Sequence, residues 1–588
     1  MCGIVGFIGK GNATDFVIKA LKKLEYRGYD SWGISFVEDG ELKVVKETGK
    51  IGEVSLSKVT SNAQIAIGHT RWATHGVVAK ENAHPHTDCR GDIAVVHNGI
   101  INNYQLLKEK LIKSGHKFSS QTDTEVIPHL VEEYLKKMPI REAFRSALND
   151  LQGDYAILLI DNTSKKLYLA TSGLSLVIGV GKENFYISSD PIAFSNLTTD
   201  VFFLKDGILS EIEKEINFFD IKTGDLKKIA SSKIATSEYE IGKGSYKHFL
   251  FKEINEQPEI LEKIANTKES KEIETNAALI RNSFGTFFVA CGTAYHAALM
   301  AEYLFAKYAK MHVNTSLASE FPTFENFITD KTLFFAISQS GETADVLEAV
   351  KSVKRKKAKI FSLLNNPDST LARISDVTML TPAGREIAVL STKAFTSQVA
   401  VLYLLSLAII GKLETGRKVV QKTALGIKES LKQANIDKIK ILAQKIKNNK
   451  NLFTIGRSLN YPTALEAALK IKEASYIHAE GFAGGELKHG TIALIEKDVP
   501  CIVFVANDET KEEILSNAEE VKARGGYIIG VAPENHKVFD YWFKVADVPE
   551  LSPIVNIVPI QVLAYFLALE KGLDPDKPRN LAKSVTVK

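Results

Sequence analysis

The sequence is poor in cysteine, methionine and tryptophan, with four, five and three of them among 588 residues. Its cysteines, Cys2, Cys89, Cys291 and Cys501, lie far apart and form no C-x-x-C pair. That spacing predicts neither a disulfide framework nor a zinc site. No unbroken apolar run approaches the roughly 20 residues that cross a bilayer. The opening MCGIVGFIGK lacks the basic region of a secretory leader. An excess of one charge is also missing, since 74 Lys and Arg against 70 Asp and Glu leave a net +4. This near-balance gives no footing to a nucleic-acid or membrane-surface partner, so an anionic ligand must be held by local groups. The expectation is a cytoplasmic protein with reduced thiols.

The length exceeds what one core fills and predicts three or four domains. Up to residue 240, short β-rich runs (Gly3–Ile8, Ile65–His69, Ile93–His97, Tyr155–Ile160) alternate with Gly, Asn and Asp turns. Helical periodicity marks Phe16–Tyr26 and Val126–Leu135, giving a layered α+β domain over 1–240. Ser237–Gln257 is polar and reads as a linker entering a helix, so 241–280 is expected to hold a linker and entry helices. From Arg281 the rhythm becomes apolar strand, Gly-containing turn, long helix, which predicts parallel sheets covered by helices.

This second half repeats itself. Phe287–Cys291 runs into Gly292 as Leu452–Ile455 runs into Gly456, and a glutamate follows at a spacing of 50 (Glu342) or 53 (Glu509). Two doubly wound units, 281–420 and 421–575, with a tail at 576–588, are the expected division.

Several segments carry chemistry. If Met1 is removed, Cys2 becomes a terminal cysteine whose own α-amine, with a pKa near 8, can activate the thiol. His97-Asn98-Gly99 after a strand offers a side-chain amide and a Gly N–H suited to an oxyanion. Arg71, beside Trp72, can clamp a carboxylate, and Asp123 can pair with an ammonium group. Thiol, carboxylate clamp and ammonium partner together describe an amino-acid amide.

Further on, Ser338-Gln339-Ser340-Gly341-Glu342-Thr343 lies between an apolar strand and a helix and can cradle a phosphate. The matching turn of the second copy carries Asp508, which would repel one. Glu466, Lys470 and Glu473 share one helical face. That face is either a solvated ion-pair stripe or a carboxylate beside a lysine, poised for proton transfer. His489 stands in a turn flanked by Gly485 and Gly490.

The Cys2-Gly-Ile-Val-Gly terminus, Tyr26–Ser31, Arg71–His75 and His97-Asn98-Gly99 together resemble the class II glutamine amidotransferases, N-terminal nucleophile hydrolases with a four-layer αββα fold. The resemblance implies that Cys2 attacks L-glutamine, Asn98 and Gly99 form the oxyanion hole, and Arg71, Trp72, His75 and Asp123 bind the substrate. It also implies that Trp72 gates an ammonia channel. From Arg281 onward the chain resembles paired sugar isomerase (SIS) domains. By that resemblance Thr293, Ser338, Gln339, Ser340, Thr343, Val389 and Ser391 hold a sugar phosphate, here fructose 6-phosphate. Glu473 shuttles a proton between the first two sugar carbons, Lys470 matches a further active-site position, His489 opens the sugar ring from a neighbouring subunit of a homodimer, and Lys583 forms a Schiff base. Ala294 departs from the family's serine and loses a side-chain contact. No metal or organic cofactor is expected. A sensor that binds a phosphosugar without catalysis is the alternative, and it would have no use for Glu473, His489 and Lys583.

Overall fold

Strand alternation in the first part of the chain sorts its side chains into three apolar layers. The computed structural model describes residues 2–54, 59, 61–234, 242–267 and 270–586, so Met1 lies outside it. The chain divides into one unit of Met1–Glu240 with Ser584–Lys588, and a second of Ile241–Lys583.

The first unit contains two antiparallel sheets, of eight and seven strands. In strand Gly3–Gly9, Val5 and Phe7 face helix Ala13–Leu24, while Ile4 and Ile8 face the other sheet. In strand Ile93–Ile101, Ala94 and Val96 face that same middle layer, while Ile93 and Val95 face helices Tyr104–Lys113, Val126–Leu135 and Ile140–Asp150. Helix, sheet, sheet, helix is the four-layer arrangement. Each fully buried Ile, Val or Leu in these layers contributes about 1.5–3 kcal/mol. The predicted strands form, and the helix expected at Phe16–Tyr26 runs from Ala13 to Leu24. Asn12 starts it by accepting the Asp15 N–H at 2.9 Å.

The second unit holds two five-stranded, all-parallel sheets of the same spatial order, second-first-third-fourth-fifth. Strands Thr286–Ala290 and Asn451–Gly456 are equivalent, as are helices Gly292–Leu304 and Asn460–Ser475. The duplication read from the sequence is thus a duplication of topology, of the doubly wound kind. Helices Leu413–Ser430 and Gln433–Ile446 join the copies, and the expected junction at 420/421 falls inside the first of them. Of the expected linker, 235–241 lies outside the described residues, and Phe249 already begins a helix. That helix is capped from the far end of the chain, where Asp576 accepts the N–H groups of Phe249 and Leu250 at 3.0 and 2.8 Å.

Pro549–Glu570 is long and apolar enough to cross a membrane, although Asn556, Pro559 and Gln561 interrupt its apolar run. Its apolar residues are buried or partly buried within the protein, and it serves as a core helix of the second copy.

Candidate active sites

The alternation that fills the middle layer of the first unit also builds its site. Cys2 shares the parity of Ile4 and Ile8, His69 and Arg71 that of Ile65 and Ile67, and Asn98 that of Ala94 and Val96. Where the apolar residues stop, these four polar side chains end the layer. Cys2, Arg71 and Asn98 line a cleft together with Trp72, His75, Gly99, Asp123 and Thr586, and His69 lies behind Asn98.

The Trp72 N–H donates to Cys2 Sγ at 3.2 Å, while burial pushes the thiol pKa up. Asn98 Nδ2 donates to the Cys2 carbonyl at 3.0 Å, and its Oδ1 lies 3.1 Å from His69 Nε2. Burial drives the His69 pKa down to about 3, so this ring is neutral. A neutral His69 donates from Nε2 to the Asn98 oxygen, which turns the amide N–H groups toward Cys2. Gly99 has φ +123, and a Cβ there would lie 2.0 Å from the Asp154 carbonyl, so only glycine fits.

Arg71 is buried, with its guanidinium oriented by the carbonyls of His75, Gly76 and Val77. Burial lowers its pKa. Asp123 is buried and accepts the Ile101 N–H at 2.8 Å. The His75 ring meets Tyr104 edge-on at 5.5 Å. The structure therefore gathers Cys2, Arg71, Trp72, His75, Asn98, Gly99 and Asp123 in one cleft. His69 and Thr586 are additions that the motifs did not single out.

In the second unit, the face carrying Glu466, Lys470 and Glu473 is not a solvated stripe. The Lys470 and Glu466 side chains are 1% and 0% exposed, and Lys470 Nζ lies 2.6 Å from Glu473 and 3.4 Å from Glu466. Lys470 also donates to Thr293 Oγ1 at 2.9 Å, and Thr293 and His296 reach Glu466 at 3.1 and 2.7 Å. Burial alone would lower the Lys470 pKa, but the Glu466 and Glu473 carboxylates outweigh it and raise the value.

Beside this cluster, Lys583 Nζ donates to buried Glu386 at 2.5 Å. Glu386 also accepts from Ser391 Oγ at 3.0 Å and the Thr392 N–H at 2.7 Å. Burial pushes the Glu386 carboxyl up, yet Lys583 outweighs it and the net shift is downward. Val389 is buried in the same segment and donates its N–H to the Asp576 carbonyl. Glu386 completes a set of which the motifs gave only part. The Lys583 partner sits 197 residues away, with no pattern to mark it.

The Ser338 turn follows strand Leu333–Ser338. Ser338 Oγ accepts the Gly341 N–H at 3.0 Å and lies 3.3 Å from Thr343 Oγ1, while Ser340 Oγ accepts the Glu342 N–H at 3.2 Å. Gln339 is half-buried beside them. Helix Ala344–Arg355 then starts without a side-chain cap from Thr343. His489 is exposed, and among the described residues no hydrogen bond or ion pair joins its ring to Lys470, Glu473 or Lys583. Ala294 packs, partly buried, against the core.

A glutamine amidotransferase unit joined to paired phosphosugar-type α/β sandwiches is the class these sites and folds define. The glutamine amidotransferase domain model matches residues 69–196, and the SIS domain model matches 279–408 and 445–569. A glutamine–fructose-6-phosphate aminotransferase (isomerizing) of Pyrococcus horikoshii is 44% identical, with both chains covered in full. One of Aquifex aeolicus is 40% identical over the same full extent. Among solved structures, the C-terminal domain of the Francisella tularensis glucosamine-fructose-6-phosphate aminotransferase is similar, with a TM-score of 0.53 and 36% identity, covering 57% of this chain and all of that one. The chain belongs to the glutamine–fructose-6-phosphate aminotransferase (isomerizing) family.

Proposed function

We propose that this chain hydrolyses L-glutamine at Cys2 and passes the ammonia to D-fructose 6-phosphate, giving L-glutamate and D-glucosamine 6-phosphate, a precursor for amino-sugar synthesis. Cys2 Sγ attacks the side-chain amide carbon. The oxyanion is received by the second N–H of the Asn98 amide and the Gly99 N–H, ammonia leaves, and water releases glutamate from the thioester. Burial keeps the resting thiol protonated, so a base is required, and loss of Met1 supplies one in the Cys2 α-amine. Arg71 binds the substrate carboxylate and Asp123 its ammonium, with Trp72 and His75 shaping the pocket and Trp72 gating ammonia release.

At the other site, Ser338, Gln339, Ser340 and Thr343 take the phosphate, aided by Thr293, Val389 and Ser391. Lys583 gives up its proton, condenses with the ketone as water leaves, and is displaced by ammonia. Glu473, steadied by Lys470, moves a proton between the first two carbons. His489 opens the ring, and its exposed turn fits donation to the site of a second copy in a homodimer. The observation that carries the reading is the buried Lys583–Glu386 pair beside Lys470–Glu473. Holding those charges out of water has a cost that a sugar-phosphate sensor has no reason to bear. Cytoplasmic residence is supported by four free thiols.

The test supplies glutamine and fructose 6-phosphate and measures amino sugar. Wild type should form it, and Cys2→Ala should lose glutamine-dependent synthesis while still binding fructose 6-phosphate. Synthesis undiminished in Cys2→Ala would remove the thiol from the mechanism.

A further inference from the structure

We propose a tetrahedral zinc site in the first unit, formed by Cys89, His116, His129 and Glu132 and separate from both candidate active sites. Cys89 Sγ lies 3.7 Å from His116 Nδ1 and 3.5 Å from His129 Nδ1. Glu132 Oε2 lies 3.1 Å from the first ring nitrogen and 3.6 Å from the second. All four ligand atoms fall within 4.8 Å of one another. A tetrahedron with zinc–sulfur bonds near 2.3 Å and zinc–nitrogen or zinc–oxygen bonds near 2.0–2.1 Å has edges of roughly 3.3–3.6 Å. The four separations of 3.1–3.7 Å bracket those edges.

The surroundings are those of a metal site. A ligating imidazole needs its other nitrogen oriented by an acceptor, usually a carboxylate. His116 Nε2 has such an acceptor in Glu133 at 2.9 Å, while His129 Nε2 lies 3.8 Å from Glu125, near that carboxylate but beyond a direct hydrogen bond. Glu125 is itself fixed by the N–H groups of Ser119 and Ser120, both at 2.7 Å. His116, His129 and Glu132 are buried, and Cys89 is exposed, which gives an ion a way in. One thiolate and one carboxylate neutralise a divalent cation, and thiolate with imidazole in a tetrahedron favours zinc. On binding, the Cys89 thiol proton passes to solvent as the sulfur–zinc bond forms.

The ligands come from three places: the turn at Cys89, the loop after helix Tyr104–Lys113, and helix Val126–Leu135. An ion there would pin the loop that continues to Thr122, Asp123 and Glu125. The expectation of no zinc site rested on C-x-x-C spacing, which a set with a single cysteine escapes.

The full chain, expressed with zinc and desalted, should carry one zinc ion per chain by elemental analysis. Cys89→Ser and His129→Ala should each lose it while keeping the far-ultraviolet circular dichroism of the wild type. Cobalt(II) added to chelator-treated protein should give a thiolate charge-transfer band and intense visible bands of tetrahedral geometry, both missing in Cys89→Ser. If one histidine variant fails to fold, Glu132→Gln provides a second. Substoichiometric metal in the wild type, or cobalt spectra without the thiolate band, would mean that these groups form only a hydrogen-bonded network, and the proposal would fall.

Discussion

The two copies of the parallel-sheet fold differ most at the same turn. In the first, Ser338–Thr343 presents hydroxyls. In the second, Asp508 fills the equivalent place, accepting the Thr510 N–H at 2.9 Å and its hydroxyl at 2.7 Å. Both turns bind backbone N–H groups with their own side chains, the first through neutral hydroxyls and the second through a carboxylate, so only the second places a negative charge there. The helices after the first strands differ as well. Gly292–Leu304 contributes Thr293 and His296, whereas Asn460–Ser475 contributes Glu466, Lys470 and Glu473 to the same buried network. Duplication has preserved the scaffold while each copy supplies a different part of one site.

The comparison breaks most sharply at Glu473. Replacing it with Gln removes the base and should slow amino-sugar formation roughly 10²–10⁴-fold, with glutamine hydrolysis retained. Glu302→Gln, on the matching helix of the first copy, removes a charge from the acceptor of the Thr315 hydroxyl and should leave the rate unchanged. Equal losses from both in a steady-state assay would overturn the assignment.

A smaller effect sharpens the contrast between the turns. Ser340→Asp gives the first copy the character of the second and should raise KM for fructose 6-phosphate roughly a hundredfold through like-charge repulsion. The converse, Asp508→Ser, should leave that KM alone and cost about 1 kcal/mol of stability through the lost turn hydrogen bonds. Paired kinetics and denaturant midpoints distinguish the two outcomes.

The smallest effect concerns Glu253, whose Oε1 accepts the Ile387 and Ala388 N–H groups next to Glu386. Burial, then the Glu386 charge, pushes its carboxyl pKa from 4.5 up to about 8. The native state therefore holds a proton that the unfolded chain releases. Its contribution to stability is full below about pH 4.5 and is lost as pH rises through about 8. Glu253→Gln mimics the protonated form and should flatten this decline. Parallel declines in urea midpoint for wild type and variant between pH 4.5 and about pH 8 would contradict the shift.

Sequence alone determined much that is local or periodic. Alternation in Gly3–Gly9, Ile65–Arg71 and Ile93–Ile101 defined the layers, and the Gly292 and Gly456 turns defined the repeat. The contiguous motifs around Cys2, Arg71, Asn98 and Ser338 marked most of both sites, because each packs its chemistry into a few adjacent residues. Tertiary structure decided what depends on distant partners. It made the Glu466–Lys470–Glu473 face a buried network, since Thr293 and His296 cover it from the other copy. It joined Lys583 to Glu386 and placed His69 behind Asn98. It turned the apolar stretch Pro549–Glu570 into a core helix, and it brought one cysteine, two histidines and a glutamate from three elements to a common centre. A sequence pattern records the spacing of neighbours along the chain. Whether a charge is paired, buried or ligating depends on what folding brings against it.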